Sequence, residues 1–249
     1  MLNSTHFTDC VESEWRGFRK IDFKFEGREA ILVFPREANA EKNWLFKTEY
    51  FEAFQDFEYE MVSRGWHLAF IKNVTRWCID EDLDLKARFA AALAGELGLY
   101  PKCVPVGMSC GGMIGVKLAA RHPECVSALY LDAPVMNLLS CPAGLGNGSA
   151  KAMPEFTEHT GMTLVDLLSY RDHPIDKMHL LLENKIPVFI VYGTADPIVP
   201  YEENGMLLEK YYRENGGVIE TVGKPGCEHH PHGLEDNTQL IKFVEEHRL

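Results

Sequence analysis

From residue 98 onward the chain alternates short β-branched runs with helical stretches, and few architectures accommodate that rhythm. Strand-like runs occupy 103–106, 128–131, 187–192 and 218–222, and helical patterns occupy 110–121, 202–213 and 236–247. Short apolar strands separated by helices imply a mostly parallel sheet with helices on both faces. The rhythm breaks between 134 and 182, where a glycine-rich stretch (144–148) and a helical piece at 164–168 read as a small cap-like insertion between two sheet strands.

The N-terminal part fits the same sheet. Residues 18–25 alternate apolar and polar, Glu26-Gly27 turns the chain, and 30–34 and 66–71 read as strands. Residues 36–48 lack a period and read as a loop. A helix is expected from about Glu49 to Gly65, with Phe54, Phe57 and Met61 on one face, and another from Asp80 to Leu97, closed by Gly98. The expectation is a single α/β domain over residues 1–249, large enough to hold a core without disulfides or metal.

Composition narrows the partners. A net charge of −12 argues against a nucleic-acid ligand, which needs a basic footprint. No apolar run is long enough for a bilayer, so no membrane partner is expected. The first twenty residues carry no apolar signal segment. Seven cysteines without a CxxC pair read as free thiols in a reducing, cytoplasmic compartment. A small neutral molecule is the expected partner; the oligomeric state stays open.

Gly107-Met108-Ser109-Cys110-Gly111 fits the G-x-S-x-G pattern, and it lies between a strand and a helix carrying Gly111, Gly112 and Gly115. A nucleophilic serine needs such a tight turn, with neighbours small enough for helix and sheet to approach and helix N–H groups aimed at a developing oxyanion. The plainer reading is a glycine-rich turn with a serine helix cap. Cys110 is the competing nucleophile, but a cysteine elbow would need glycine at position 108. Its expected role is a backbone N–H in the oxyanion hole, with the side chain a small filler.

A serine base system also needs a histidine oriented by a carboxylate, in the chain order Ser, acid, His. Asp196 follows a buried strand; its plainer reading is an Asp-Pro turn. Asp132, at the end of an earlier strand, is the substitute acid. His229, His230 and His232 lie past the last strand, and spacing does not choose among them. A metal site is the competing reading of His-His-x-His, but neighbouring histidines on an extended loop should point apart and no further ligand motif is evident. Neither metal nor cofactor is therefore expected.

Together, residues 43–51 (NWLFKTEYF), 107–112, 131–135, 192–200 and 229–236 resemble the α/β-hydrolase superfamily, and more narrowly bacterial acetylxylan-esterase-like or prolyl-oligopeptidase-like serine esterases. The resemblance implies an α/β-hydrolase fold with Ser109 as nucleophile, Asp196 as acid and His229 as base. Glu228 stands where relatives usually carry glycine. Phe34-Pro35-Arg36-Glu37 stands where many carry His-Gly, so the second oxyanion donor is expected within 36–47. Relatives act on O-acetylated carbohydrates, which makes Trp44 a candidate for stacking on a sugar; a tryptophan is more often a core residue. The expected activity is hydrolysis of short-chain esters, with O-acetyl groups on carbohydrates as the candidate substrate. A thioesterase or acyltransferase would use the same triad, and a ligand receptor on the same fold is the non-enzymatic alternative.

Overall fold

The computed structural model describes residues 6–249. The first five residues of the stretch read for a signal segment lie outside the described residues. Among the described residues, nine strands form one sheet in the order β1-β2-β3-β5-β4-β6-β7-β8-β9. Strands β1 (Phe7–Trp15), β2 (Phe18–Phe25), β3 (Arg28–Val33) and β5 (His67–Ile71) pair antiparallel. The parallel part comprises β5, β4 (Trp44–Lys47), β6 (Val104–Met108), β7 (Leu129–Asp132), β8 (Val188–Gly193) and β9 (Ile219–Lys224). No helix among the described residues is long and apolar enough to cross a membrane.

Two cores flank the sheet because its strands send alternate side chains to opposite faces. Tyr130, Phe189 and Val191 meet helices α1 (Asp56–Ser63) and α8 (Thr238–Glu246) on one side. Leu129, Leu131 and Ile190 meet α2 (Asp80–Leu97), α3 (Cys110–Arg121) and α7 (Gly205–Glu214) on the other. Gly98 ends α2 in the left-handed region, with φ of 67°, as its position suggested.

Three expectations need correction. Strand β1 is absent from the sequence reading because only its end residues are buried, so it shows no apolar alternation. It is fixed by the Arg16-Gly17 turn, both residues having positive φ, which matches the twist of a tight hairpin. Strand β4 falls in the segment read as a loop; four residues buried on both faces are too short to show a period. The helix expected from Glu49 starts at Asp56, because Tyr50 and Phe54 adopt φ of 53° and 48° and break any helix before it.

The stretch between β7 and β8 holds α4 (Met153–Thr160), α5 (Leu164–Ser169) and α6 (Met178–Glu183). Its glycine-rich loop is anchored: the Asn147 amide and the Ser140 hydroxyl donate to the Glu203 carboxylate at 2.8 and 2.6 Å.

Candidate active site

Strands β4 to β9 all end on the same edge of the sheet, and the loops leaving that edge carry Ser109, Asp196 and the three histidines. In open α/β sheets this carboxyl edge is where ligands bind.

Ser109 follows β6 and precedes α3 with φ 53° and ψ −118°, a conformation that side-chain-bearing residues rarely adopt. The turn is held from both sides. The Ser109 amide donates to Asp132 O at 2.9 Å, while Ser109 O accepts from the amides of Gly112 and Val135 at 3.0 and 3.1 Å. The glycines are sterically required. A Cβ on Gly107 would lie 2.3 Å from Gly111 O, and one on Gly112 would lie 2.6 Å from Pro134 Cβ. The Cys110 side chain is buried, and burial pushes its thiol up to about 11, so it is a thiol at neutral pH and not a thiolate.

His229 stands between a carboxylate and the serine. Its Nδ1 is 2.7 Å from Asp196 Oδ2 and its Nε2 is 3.1 Å from Ser109 Oγ. An ionised carboxylate only accepts, so Nδ1 carries the proton and the Nε2 lone pair faces the hydroxyl. Burial opposes the charge on Asp196, but hydrogen bonds from His229 and from the amides of Val199 and Ile198 outweigh it and hold the carboxyl below its ordinary range.

The loop carrying Asp196 and the loop carrying His229 touch largely through backbone, with the Thr194 hydroxyl accepting the Gly226 amide at 2.8 Å beside the His229–Asp196 bond. A Cβ on Gly193 would sit 2.2 Å from Glu228 O and 2.4 Å from Cys227 O, and the Ala195 amide donates to Cys227 O at 2.9 Å.

Asp132, the substitute acid, faces a different histidine. Its Oδ1 is 2.7 Å from His232 Nδ1 and its Oδ2 accepts the Gly233 amide at 2.7 Å. His230 is more exposed and stacks on Phe54, with ring centroids 5.7 Å apart. Burial, followed by the neighbouring His232 and His229, lowers the His230 pKa. The expectation that these histidines point apart is overturned. The loop folds back on itself, and each ring offers a nitrogen within 4.8 Å of the other two.

A cavity of about 460 Å³ opens over Ser109, walled by Tyr50, Phe54, Trp77, Met108 and Ile198, with Lys151 at its polar side. From the insertion it receives only small or polar residues such as Cys141, Ser149 and Ala152. Trp44 is not among its walls. It is 0% exposed, its indole N–H donates to Tyr100 O at 2.8 Å, and it packs on Phe46, so a sugar ring has no access to it.

The segment 36–47 does not line the cavity either. Its last four residues are sheet, and Tyr50 is the first residue along the chain to line the cavity. The Tyr50 hydroxyl lies 3.4 Å from Arg76 Nη1, and Arg76 in turn is paired with Glu155 on α4 through Nε, 2.8 Å from Oε1. Burial raises the Tyr50 pKa well above its ordinary value, keeping the O–H proton available for donation. The available signal was a polar aromatic three residues past a buried strand, where a loop must leave the carboxyl edge.

No protein-family model and no curated protein match this sequence, but solved structures do. A puromycin hydrolase superposes with TM-score 0.67 at 18% identity, covering 88% of this chain and 36% of that one. A truncated carbohydrate esterase from gut microbiota gives 0.65 at 16% identity, covering 87% of this chain and 90% of that one. The Pyrococcus horikoshii acylaminoacyl peptidase gives 0.65 at 12% identity, covering 98% and 42%. This chain thus spans little more than a third of the puromycin hydrolase and about nine-tenths of the esterase. The shared fold is the α/β-hydrolase fold, with its mostly parallel sheet and flanking helices.

Proposed function

We propose that this chain is a serine hydrolase that cleaves short-chain carboxylic esters through an acyl-enzyme, with Ser109 as nucleophile, His229 as general base and Asp196 as the orienting acid. The observation that carries the reading is the continuous Asp196–His229–Ser109 chain, 2.7 and 3.1 Å, whose Ser109 and His229 line the cavity.

His229 Nε2 removes the hydroxyl proton as Ser109 Oγ attacks the ester carbonyl, and Asp196 stabilises the resulting imidazolium. The oxyanion is received by the Cys110 backbone N–H and by the Tyr50 hydroxyl, which replaces the donor expected within 36–47. His229 then returns the proton to the leaving alcohol; water repeats the sequence on the acyl-enzyme. No cofactor takes part.

The small and polar insertion residues favour an acetyl or propionyl acyl group, and the name of the carbohydrate esterase supports sugar acetates as a substrate class. A second reading, amide hydrolysis, is favoured by the names of the puromycin hydrolase and the acylaminoacyl peptidase. The test compares p-nitrophenyl esters of two to twelve acyl carbons, acetylated sugars and aminoacyl p-nitroanilides. Each added methylene gains about 0.8 kcal/mol only where it is buried, so kcat/KM should be highest at two or three carbons. A maximum at eight or more carbons would remove the sugar-acetate assignment, and preference for the anilides would establish the amidase.

A further inference from the structure

The three loop histidines form a compact cluster whose geometry goes beyond what ester hydrolysis requires. The ring centroids of His229, His230 and His232 stand 4.8 to 5.0 Å apart in a nearly equilateral triangle. Two of the rings are backed by carboxylates on Nδ1: His229 by Asp196 and His232 by Asp132, each at 2.7 Å. That fixes their tautomers, so both Nε2 atoms carry lone pairs, the one on His229 facing the Ser109 hydroxyl at 3.1 Å. Metal-binding histidines typically have this support, a carboxylate on the far nitrogen that orients the ring and raises its basicity. For His232, hydrolysis supplies no use for it. The two buried carboxylates also offset the charge of a dication, and the cavity gives it a path in from solvent.

We propose that His229, His230 and His232 bind a divalent transition metal of the zinc type, and that the bound metal reversibly silences the hydrolase. The silencing rests on the catalytic reading above; the binding does not. A tetrahedral ion with Zn–N bonds of about 2.0 Å holds its nitrogens roughly 3.3 Å apart, so each ring needs to close by only about 1 Å. The fourth position faces the cavity. Binding uses the His229 Nε2 lone pair that would otherwise take the Ser109 proton. The serine then remains protonated, and no acyl-enzyme forms until the metal leaves.

The test uses the full chain in a C10S/C227S background, which removes the two cysteines that are not buried. Zinc affinity is measured by competition with a chromogenic indicator, independently of any substrate. Wild type and S109A are expected to bind zinc equally. H230A should weaken binding by at least about tenfold, and D132N by 10–100-fold through the lost support of His232. Circular dichroism of each variant checks folding, and the exposed His230 is the position least able to disturb it. Equal affinity in wild type and H230A, or no binding below about 1 mM, would overturn the site. Ester hydrolysis is then followed against zinc: inhibition reversed by a chelator supports silencing, and unchanged turnover at saturating zinc overturns it. Zinc binding in a chain that hydrolyses no ester or amide would leave the metal site standing and remove the hydrolase reading.

Discussion

His232 Nδ1 lies 2.7 Å from Asp132 Oδ1, the same separation that joins His229 Nδ1 to Asp196 Oδ2, so two buried histidine–carboxylate pairs stand side by side at the carboxyl edge of the sheet. Only the His229 pair reaches the Ser109 hydroxyl. The two acids should therefore separate kinetically. Asp196→Asn is expected to reduce kcat by about 10⁴-fold with little change in KM, because the amide can present the wrong tautomer to His229. Asp132→Asn should leave metal-free kcat within about tenfold. The reverse ranking in steady-state kinetics would move the acid to Asp132.

Ser109 and Cys110 are adjacent, yet only the serine side chain faces the histidine. Ser109→Ala should lose about 10⁴-fold or more in kcat, retaining what the oxyanion donors and binding supply. Cys110→Ala should keep most of the activity, since the expected contribution of residue 110 is a backbone N–H. Labelling by a fluorophosphonate probe gives an independent check, with Cys110→Ala labelled and Ser109→Ala not.

Lys47 and Glu58 form an ion pair in which neither side chain is more than 1% exposed, and Lys47 Nζ also donates to Ala53 O at 3.1 Å. A pair so deeply buried is costly to break, because the survivor keeps its charge without a partner. Lys47→Met should destabilise the protein by about 3–5 kcal/mol, and Lys47→Met with Glu58→Leu should recover much of that loss. Urea denaturation of the two variants measures the difference.

His67 is buried against Phe34, and its Nδ1 has no hydrogen-bond partner among the described residues. Burial lowers its pKa from 6.5 to about 4. The unfolded chain thus takes up a proton near pH 6.5 while the folded chain resists until near pH 4. The stabilisation from neutral His67 is complete above pH 6.5 and is lost as the pH falls toward 4, amounting to roughly 3 kcal/mol. His67→Phe should flatten this part of the stability profile. An unchanged slope between pH 6.5 and 4 in urea titrations would show that another group controls it.

Much of the architecture was legible in the sequence because the central elements obey simple periods. Cys110–Arg121 and Asp80–Leu97 have the helix bounds that their apolar spacing suggested, and Phe18–Phe25 has the expected strand bounds. What escaped had no period to show: β1 is exposed along its middle, β4 is four residues long, and the chain before α1 is broken by two residues with positive φ. At the candidate site, the sequence supplied the loops but not their convergence. Trp44 was a plausible sugar platform until its indole was located beneath the sheet surface. Tyr50 was hidden because β4, the buried strand it follows, is too short to show a period, and the folding back of His230 and His232 toward His229 depends on a loop path that no local pattern encodes.

The bare backbone contact at Gly193 has a consequence for how the site can move. At Gly193 the loop carrying Asp196 and the loop carrying His229 meet main chain to main chain, where any Cβ would collide with Glu228 O, and the Thr194 hydroxyl accepts the Gly226 amide beside that contact. Their relative position is inherited from the β8–β9 register, in which Gly193 is paired with Lys224. Shifting one loop against the other therefore has to bend main chain at this contact, so Asp196 and His229 are expected to move as a unit. Asp132 couples the Ser109 turn to that unit, since its carbonyl accepts the Ser109 amide while its carboxylate holds His232 and the Gly233 amide.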